Sequence, residues 1–141
     1  MTLDDEIAEV EEANAHFYRA FEALDLQDME TVWAKGEHVK CIHPGWGLLV
    51  GWEAVRASWD AIFKNTAEIR FSLGDVSVHV DGNLARVTCT ENILSQVRDN
   101  ISVTSVLATN LFERQGDTWL MIHHHASHVF ATEAPTEGET A

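Results

Sequence analysis

The sequence predicts an α+β fold in which helices come first and a sheet follows. Three observations carry this prediction. Apolar residues recur every three or four positions through the first 65 residues, as on one face of a helix. After Asn65 the period drops to two, with Val76, Val78 and Val80 alternating with polar neighbours. Three turn signals then cut the remainder into long strands that must fold back on one another: Asp81-Gly82-Asn83, Arg98-Asp99-Asn100 and Gln115-Gly116-Asp117. The expected architecture is three N-terminal helices laid on one face of a curved antiparallel sheet.

The elements follow in order. Leu3, Ile7, Val10, Asn14, Phe17, Phe21 and Leu24 place an amphipathic helix over residues 2–24, with Thr2 and Asp5 as a capping box and early acidic residues suited to the helix dipole. Leu26, Met29, Val32 and Trp33 predict a shorter helix ending near Gly36. Val39 to His43 reads as a first strand. Residues 51–65 read as a third helix with Val55, Trp59, Ile62 and Phe63 on one face. Four strands are expected over 67–80 (interrupted near Gly74), 84–97, 102–114 and 119–130. There is no repeat and no internal linker, so residues 1–130 form one domain, large enough for its own core. Residues 131–141, with Pro135, Gly138 and several acidic and threonine residues, read as a disordered acidic tail.

Composition narrows the function classes. A hydrophobic content of 45% with 23% charged residues describes an ordinary globular protein. A formal charge of -14 argues against nucleic acid and anionic membrane surfaces as partners. No run of about eighteen apolar residues suggests a membrane span, and no secretory or lipidation signal is evident, so a cytoplasmic protein is expected. Cys41 and Cys89 lie in strand-like apolar surroundings; buried free thiols are expected, with pairing as the alternative. No glycine-rich phosphate loop and no paired-cysteine motif occurs, which makes a cofactor-free site the default.

One stretch organises the rest: Cys41-Ile42-His43-Pro44-Gly45-Trp46-Gly47-Leu48-Leu49-Val50-Gly51-Trp52. Pro44 cannot donate a ladder hydrogen bond and holds His43 extended. Three glycines then allow a tight excursion before the third helix. A histidine and two tryptophans are thereby gathered at a strand end, the composition of a small-molecule pocket or of a packed corner.

The run Phe17-Tyr18-Arg19-Ala20-Phe21 leading to Asp25-Leu26, the His43-Pro44-Gly45 turn, Gly51 before the third helix, the strand Ala108-Thr109-Asn110-Leu111-Phe112-Glu113-Arg114, and the ending Trp119…His123-His124-His125-Ala126-Ser127 together resemble the nuclear transport factor 2-like superfamily. This is the cone-shaped fold of ketosteroid isomerases and SnoaL-like cyclases, and also of the association domain of calcium/calmodulin-dependent protein kinase II. The resemblance spans roughly residues 5–130. It implies that Tyr18 falls at the isomerases' oxyanion-binding tyrosine, His43 at their general-base aspartate and Asn110 at their protonated aspartic acid. Neutral histidine is a competent base near neutrality, and an asparagine amide donates to an oxyanion without a raised pKa. At both positions the chain departs from the isomerases' aspartates, so their steroid substrate is not carried over.

Trp46, Trp52, Trp59, His124 and Phe112 are the expected pocket-lining residues, with Trp46 at the mouth. On a strand, His124 shares a face with Ala126 and His128, while His123, His125 and Ser127 share the other. At most two of the histidines therefore converge, and no metal site is expected. Glu91, between Cys89 and Ile93, needs a partner or a raised pKa, and His123 or His125 is the expected partner. The reading that results is a SnoaL-like protein binding a small apolar or cyclic ligand, with proton transfer next to a carbonyl as the reaction if it is an enzyme, and a homodimer through the sheet. The alternative is a non-catalytic assembly or ligand-sensing module like the kinase association domain.

Overall fold

The computed structural model describes residues 1–130; the acidic tail expected at 131–141 lies outside the described residues. The element order is α1 (Leu3–Glu22), α2 (Leu26–Val32), β1 (Lys40–Ile42), β2 (Leu49–Val50), α3 (Trp52–Asn65), β3 (Glu68–Asp81), β4 (Leu84–Val97), β5 (Asn100–Gln115) and β6 (Thr118–His128). Three helices pack on one six-stranded sheet of order β2-β1-β6-β5-β4-β3.

The α1 N-terminus carries the expected capping box: the Thr2 hydroxyl accepts from Asp5 N–H, and the Asp5 carboxylate accepts from Thr2 N–H. Val10, Asn14, Phe17, Tyr18 and Ala20 form its buried face. Helix α2 stops at Val32, short of Gly36, because Trp33 turns extended and bridges in parallel to Met121, while Ala34 N–H donates to Met121 C=O. Sheet pairing outcompetes another helical turn there. Gly51 caps α3 at φ 90°, a conformation that favours glycine.

The meander β3-β4-β5-β6 is antiparallel, and the 81–84 hairpin closes with Asp81 opposite Leu84. The sheet is mixed in one place, where β1 runs parallel to β6 with Cys41 opposite His124. Periodicity also left out β2, which pairs two residues with β1. Two register irregularities bend the strands, one in β3 between Gly74 and Ser77, the other opposite Leu111/Phe112. At the second, Phe112 pairs with Met121 and Leu111 with His123, so Ile122 is the extra residue. Inward alternation therefore passes from Trp119 and Met121 to His124 and Ala126. Strand β6 ends at His128, two residues before Phe130.

Candidate functional site

The inward faces of β4, β5 and β6 deliver a row of polar side chains beneath α1. Register places Val87 opposite Asn110 and Asn110 opposite His124, and Glu91 follows Val87 and Cys89 on the same face. Helix α1 contributes Asn14 and Tyr18, one turn apart. All are buried, Asn110 and His124 essentially completely.

These groups form one hydrogen-bonded chain. The Tyr18 hydroxyl donates to Glu91 Oε2 at 2.5 Å. Asn110 Nδ2 donates to the Tyr18 oxygen at 3.2 Å and to Asn14 Oδ1 at 2.9 Å, using both amide hydrogens. Asn110 Oδ1 lies 2.6 Å from His124 Nδ1, so His124 donates there and keeps Nε2 as its lone-pair nitrogen. Cys89 Sγ is 3.4 Å from the Tyr18 oxygen.

Desolvation sets the proton affinities, because burial penalises every charged form. It raises Glu91 to about 7, with the Tyr18 hydrogen bond pulling the other way. It raises Tyr18 as well, assisted by the Glu91 charge, so Tyr18 remains a phenol. It holds His124 well below the usual histidine range, with His43 adding to the effect, so His124 is neutral.

His43 stands beside this chain, its ring 6.3 Å from that of His124 and 4.7 Å from that of Trp59. Ser58, one turn after Val55 on α3, gives its hydroxyl proton to Val55 C=O at 2.6 Å and lies 2.8 Å from His43 Nε2. Its single proton is thus spent, so His43 Nε2–H donates to Ser58 and Nδ1 carries the lone pair. Burial lowers His43 to about 4, which keeps it neutral through the physiological range. Cys41 Sγ lies 3.5 Å from His43 Nε2; burial pushes that thiol up and leaves it protonated.

Aromatic side chains fill the space around the chain. Phe17, Phe21, Trp59, Phe63 and Phe71 make mutual edge and tilted contacts, and Phe17 also packs on Tyr18 and His124. The Trp59 indole N–H is buried with no partner among the described residues. Trp46 is 45% exposed and meets the His43 ring edge-on at 4.9 Å. It borders a groove of about 220 Å³ with Ala61, Ile62, Asn65, Thr66 and Val97. A roomier, open concavity of about 450 Å³, lined by Glu9, Glu12, His16 and Trp119 among others, shares no residue with the buried chain.

Of the expected site residues, Tyr18, Asn110, His124, Trp59 and His43 come together, with Trp46 at their outer side. Trp52 does not join them: it packs on Trp33 under the Lys35 ammonium. Phe112 is core, paired in register with Ala85 and Met121. The expected pairing of Glu91 with His123 or His125 is overturned. Those histidines lie on the opposite sheet face, their rings 6.4 Å apart, and Tyr18 is the partner instead. Asn14 and Ser58 had no motif to mark them; their signal was only a polar residue on an apolar helical face. Among the described residues, no group of three or more histidine, cysteine or acidic residues is placed to hold a metal. No helix there is long and apolar enough to cross a membrane.

Comparison with known proteins adds three kinds of likeness. The model of the SnoaL-like domain family matches residues 10–132. A Streptomyces avermitilis structure, described as a candidate dehydratase of the nuclear transport factor 2-like family, is 40% identical, covering 92% of this chain and 100% of its own, with a TM-score of 0.87. A candidate calcium/calmodulin-dependent protein kinase type II association domain from Thiobacillus denitrificans is 35% identical over 84% of this chain and 94% of its own, with a TM-score of 0.76. The F-box protein SKIP8 of Arabidopsis thaliana is 30% identical over 114 residues, and the chain spans about half (47%) of that relative's length.

Proposed function

Starting from the fact that this chain belongs to the SnoaL-like domain family, we propose that it binds a small, mostly apolar carbonyl compound between α1, α3 and the sheet and moves a proton next to that carbonyl without a cofactor. The observation that carries this reading is the buried chain Glu91–Tyr18–Asn110–His124 lying beside a neutral His43 whose Nδ1 carries the lone pair, 3.9 Å from the Cys41 thiol, among packed aromatic rings.

The chemistry follows from those positions. His43 Nδ1 takes a proton from the carbon beside the carbonyl; the C–H electron pair forms the C=C bond of the enolate, and the C=O π pair moves to the oxygen. Tyr18 donates a hydrogen bond to that oxygen as charge develops, and Asn110 holds the phenol in place. The protonated His43 then returns its proton to another carbon of the conjugated enolate, which completes an isomerisation. Ser58 fixes the tautomer that makes Nδ1 the base. A conjugate acid near pH 4 makes His43 always available and only weakly basic. The unpartnered Trp59 N–H offers a second donor to an entering acceptor. The Streptomyces relative is described as a candidate dehydratase, and loss of water from a β-hydroxy carbonyl begins with the same proton removal.

The test is deuterium incorporation next to the carbonyl of small cyclic ketones in heavy water, together with native mass spectrometry of the purified protein for a retained ligand. Exchange that disappears in His43→Ala, with the fold intact, is the expected result. Equal exchange in both proteins would sink the catalytic reading.

A second reading, self-assembly, is favoured by the opposite sheet face. Leu94, Ile101, Val103 and Leu107 lie there, exposed by 47%, 68%, 80% and 54%. Register puts them on one surface: Leu94 opposite Val103, Gln96 opposite Ile101 and Thr90 opposite Leu107. Such a patch suits a second copy of the chain, giving a homodimer through the sheet. The likeness to an association domain points the same way.

A further inference from the structure

The proton-transfer reading gives Tyr18 the task of donating to a ligand oxygen, yet its one proton is already committed. Three groups surround the phenolic oxygen: Glu91 Oε2 at 2.5 Å, Asn110 Nδ2 at 3.2 Å and Cys89 Sγ at 3.4 Å. Asn110 cannot accept there. Its Oδ1 takes the His124 Nδ1 proton, which turns Nδ2 toward Tyr18. The phenolic proton therefore points at Glu91 whenever Glu91 is ionised.

We propose that Glu91 is the positioning residue that decides whether Tyr18 can donate to a ligand. Ionised, the carboxylate keeps the phenolic proton for itself. Protonated, it donates to the Tyr18 oxygen, Asn110 donates to the same oxygen, and the phenolic proton turns away toward the ligand. Only Cys89 Sγ then competes for that proton, and sulfur is a weak acceptor. One proton on one carboxyl thus converts a closed donor into an oxyanion donor backed by two hydrogen bonds.

The surroundings leave Glu91 free to play this part. From β3 it faces Leu73, with Phe71 two residues along; from β5 it faces Val106. From α1 come Tyr18 and, a turn later, Glu22, whose carboxylate accepts from Phe71 N–H. Cys89 is the titratable neighbour on its own strand, and His124 lies beyond Asn110 on β6, neutral. Among the described residues, no lysine or arginine is buried. Among the described residues the Tyr18 hydrogen bond alone favours the ionised carboxyl, and burial outweighs it and brings the titration to about pH 7.

The proposal rests on the ligand-binding reading, and its test separates the two. The probe is 1-indanone, a compact aromatic ketone, titrated calorimetrically into the wild type, Glu91→Gln and Tyr18→Phe at about pH 6 and about pH 8.5. The wild type should bind about tenfold or more weakly at the higher pH, because only the protonated fraction is competent. Glu91→Gln, whose amide donates permanently to Tyr18, should bring the ratio between the two pH values close to one. Tyr18→Phe should also flatten it, with weak binding at both. A pH ratio that survives in either variant overturns the proposal, as does a wild type that binds equally at both, and the ligand reading then stands without it. If none of the three proteins binds 1-indanone, the ligand reading fails and this proposal fails with it. Should Glu91→Gln not fold, infrared spectra of the wild type provide the same decision: the protonated carboxyl band must disappear over the pH interval in which affinity falls, and a band that persists overturns the proposal.

Discussion

Ser58 Oγ lies 2.8 Å from His43 Nε2 and passes its own proton to Val55 C=O at 2.6 Å, so a serine on α3 dictates which nitrogen of a histidine after β1 carries a hydrogen. That relationship leaves His43 Nδ1 as the base in the proposed reaction.

Ser58→Ala would remove the acceptor and leave a buried N–H unpaired, which costs about 1–3 kcal/mol. The expected outcome is a lower denaturant midpoint together with a change of His43 tautomer, read from its ring nitrogens by NMR. Deuterium exchange should fall more than ligand affinity does. A variant with the wild-type tautomer would show that Ser58 only fills space.

Stability should depend on pH through buried groups that act in opposite directions. The folded-state value of His43 lies below its ordinary 6.5, at about 4. The unfolded chain therefore takes up the proton first as pH falls, and stability present above about pH 6.5 is lost on the way to pH 4, by up to about 3 kcal/mol. His124 acts in the same direction. Glu91 is raised from 4.5 to about 7, so the folded state holds its proton longer. Its contribution is present below about pH 4.5 and is lost as pH rises through 7, again by up to about 3 kcal/mol. Urea midpoints of wild type and Glu91→Gln should accordingly diverge above pH 5, with the variant gaining toward pH 8. Parallel curves would refute the assignment.

The helix-then-meander order was legible because periodicity and turn chemistry are local. The 84–97 strand, the capping box and Gly51 before α3 all follow from neighbours in the chain. The stretch around His43 stood out by its own composition, whereas the roles expected of Tyr18 and Asn110 came from family resemblance; those two are in direct contact. What stayed hidden depends on distant pairing. Trp33 leaves its helix for Met121, and β1 chooses β6 as a parallel neighbour. Glu91 meets Tyr18 across 73 positions, which no spacing encodes. Strict alternation also fails at Ile122, where one extra residue separates the face set by Trp119 from the face that carries His124.

Trp46 should control the hydration of His43. It sits between Gly45 and Gly47, and its ring covers the histidine edge-on while remaining half exposed itself. Burial is what lowers His43, so Trp46→Ala should let water in and move its titration upward toward 6.5. NMR titration of the His43 ring checks this, with Trp46→Phe retaining most of the depression. An unmoved value in Trp46→Ala would mean that Trp59 and Ser58 alone shield the ring.

The exposed sheet face offers the last test. Val103 at 80% and Ile101 at 68% are costly to leave in water, roughly 1.5–3 kcal/mol for each fully exposed large aliphatic side chain. A second copy of the chain covering them would recover much of that. Val103→Asp places a charge opposite Leu94 at the centre of the patch. Light scattering should then report a smaller species than the wild type at the same concentration, with unchanged helix and strand content by circular dichroism. Because Val103 faces away from the buried chain, ligand affinity should stay within about twofold unless assembly itself shapes the site. A wild type that is already monomeric would remove the homodimer from the proposal and leave the apolar face for a different protein partner.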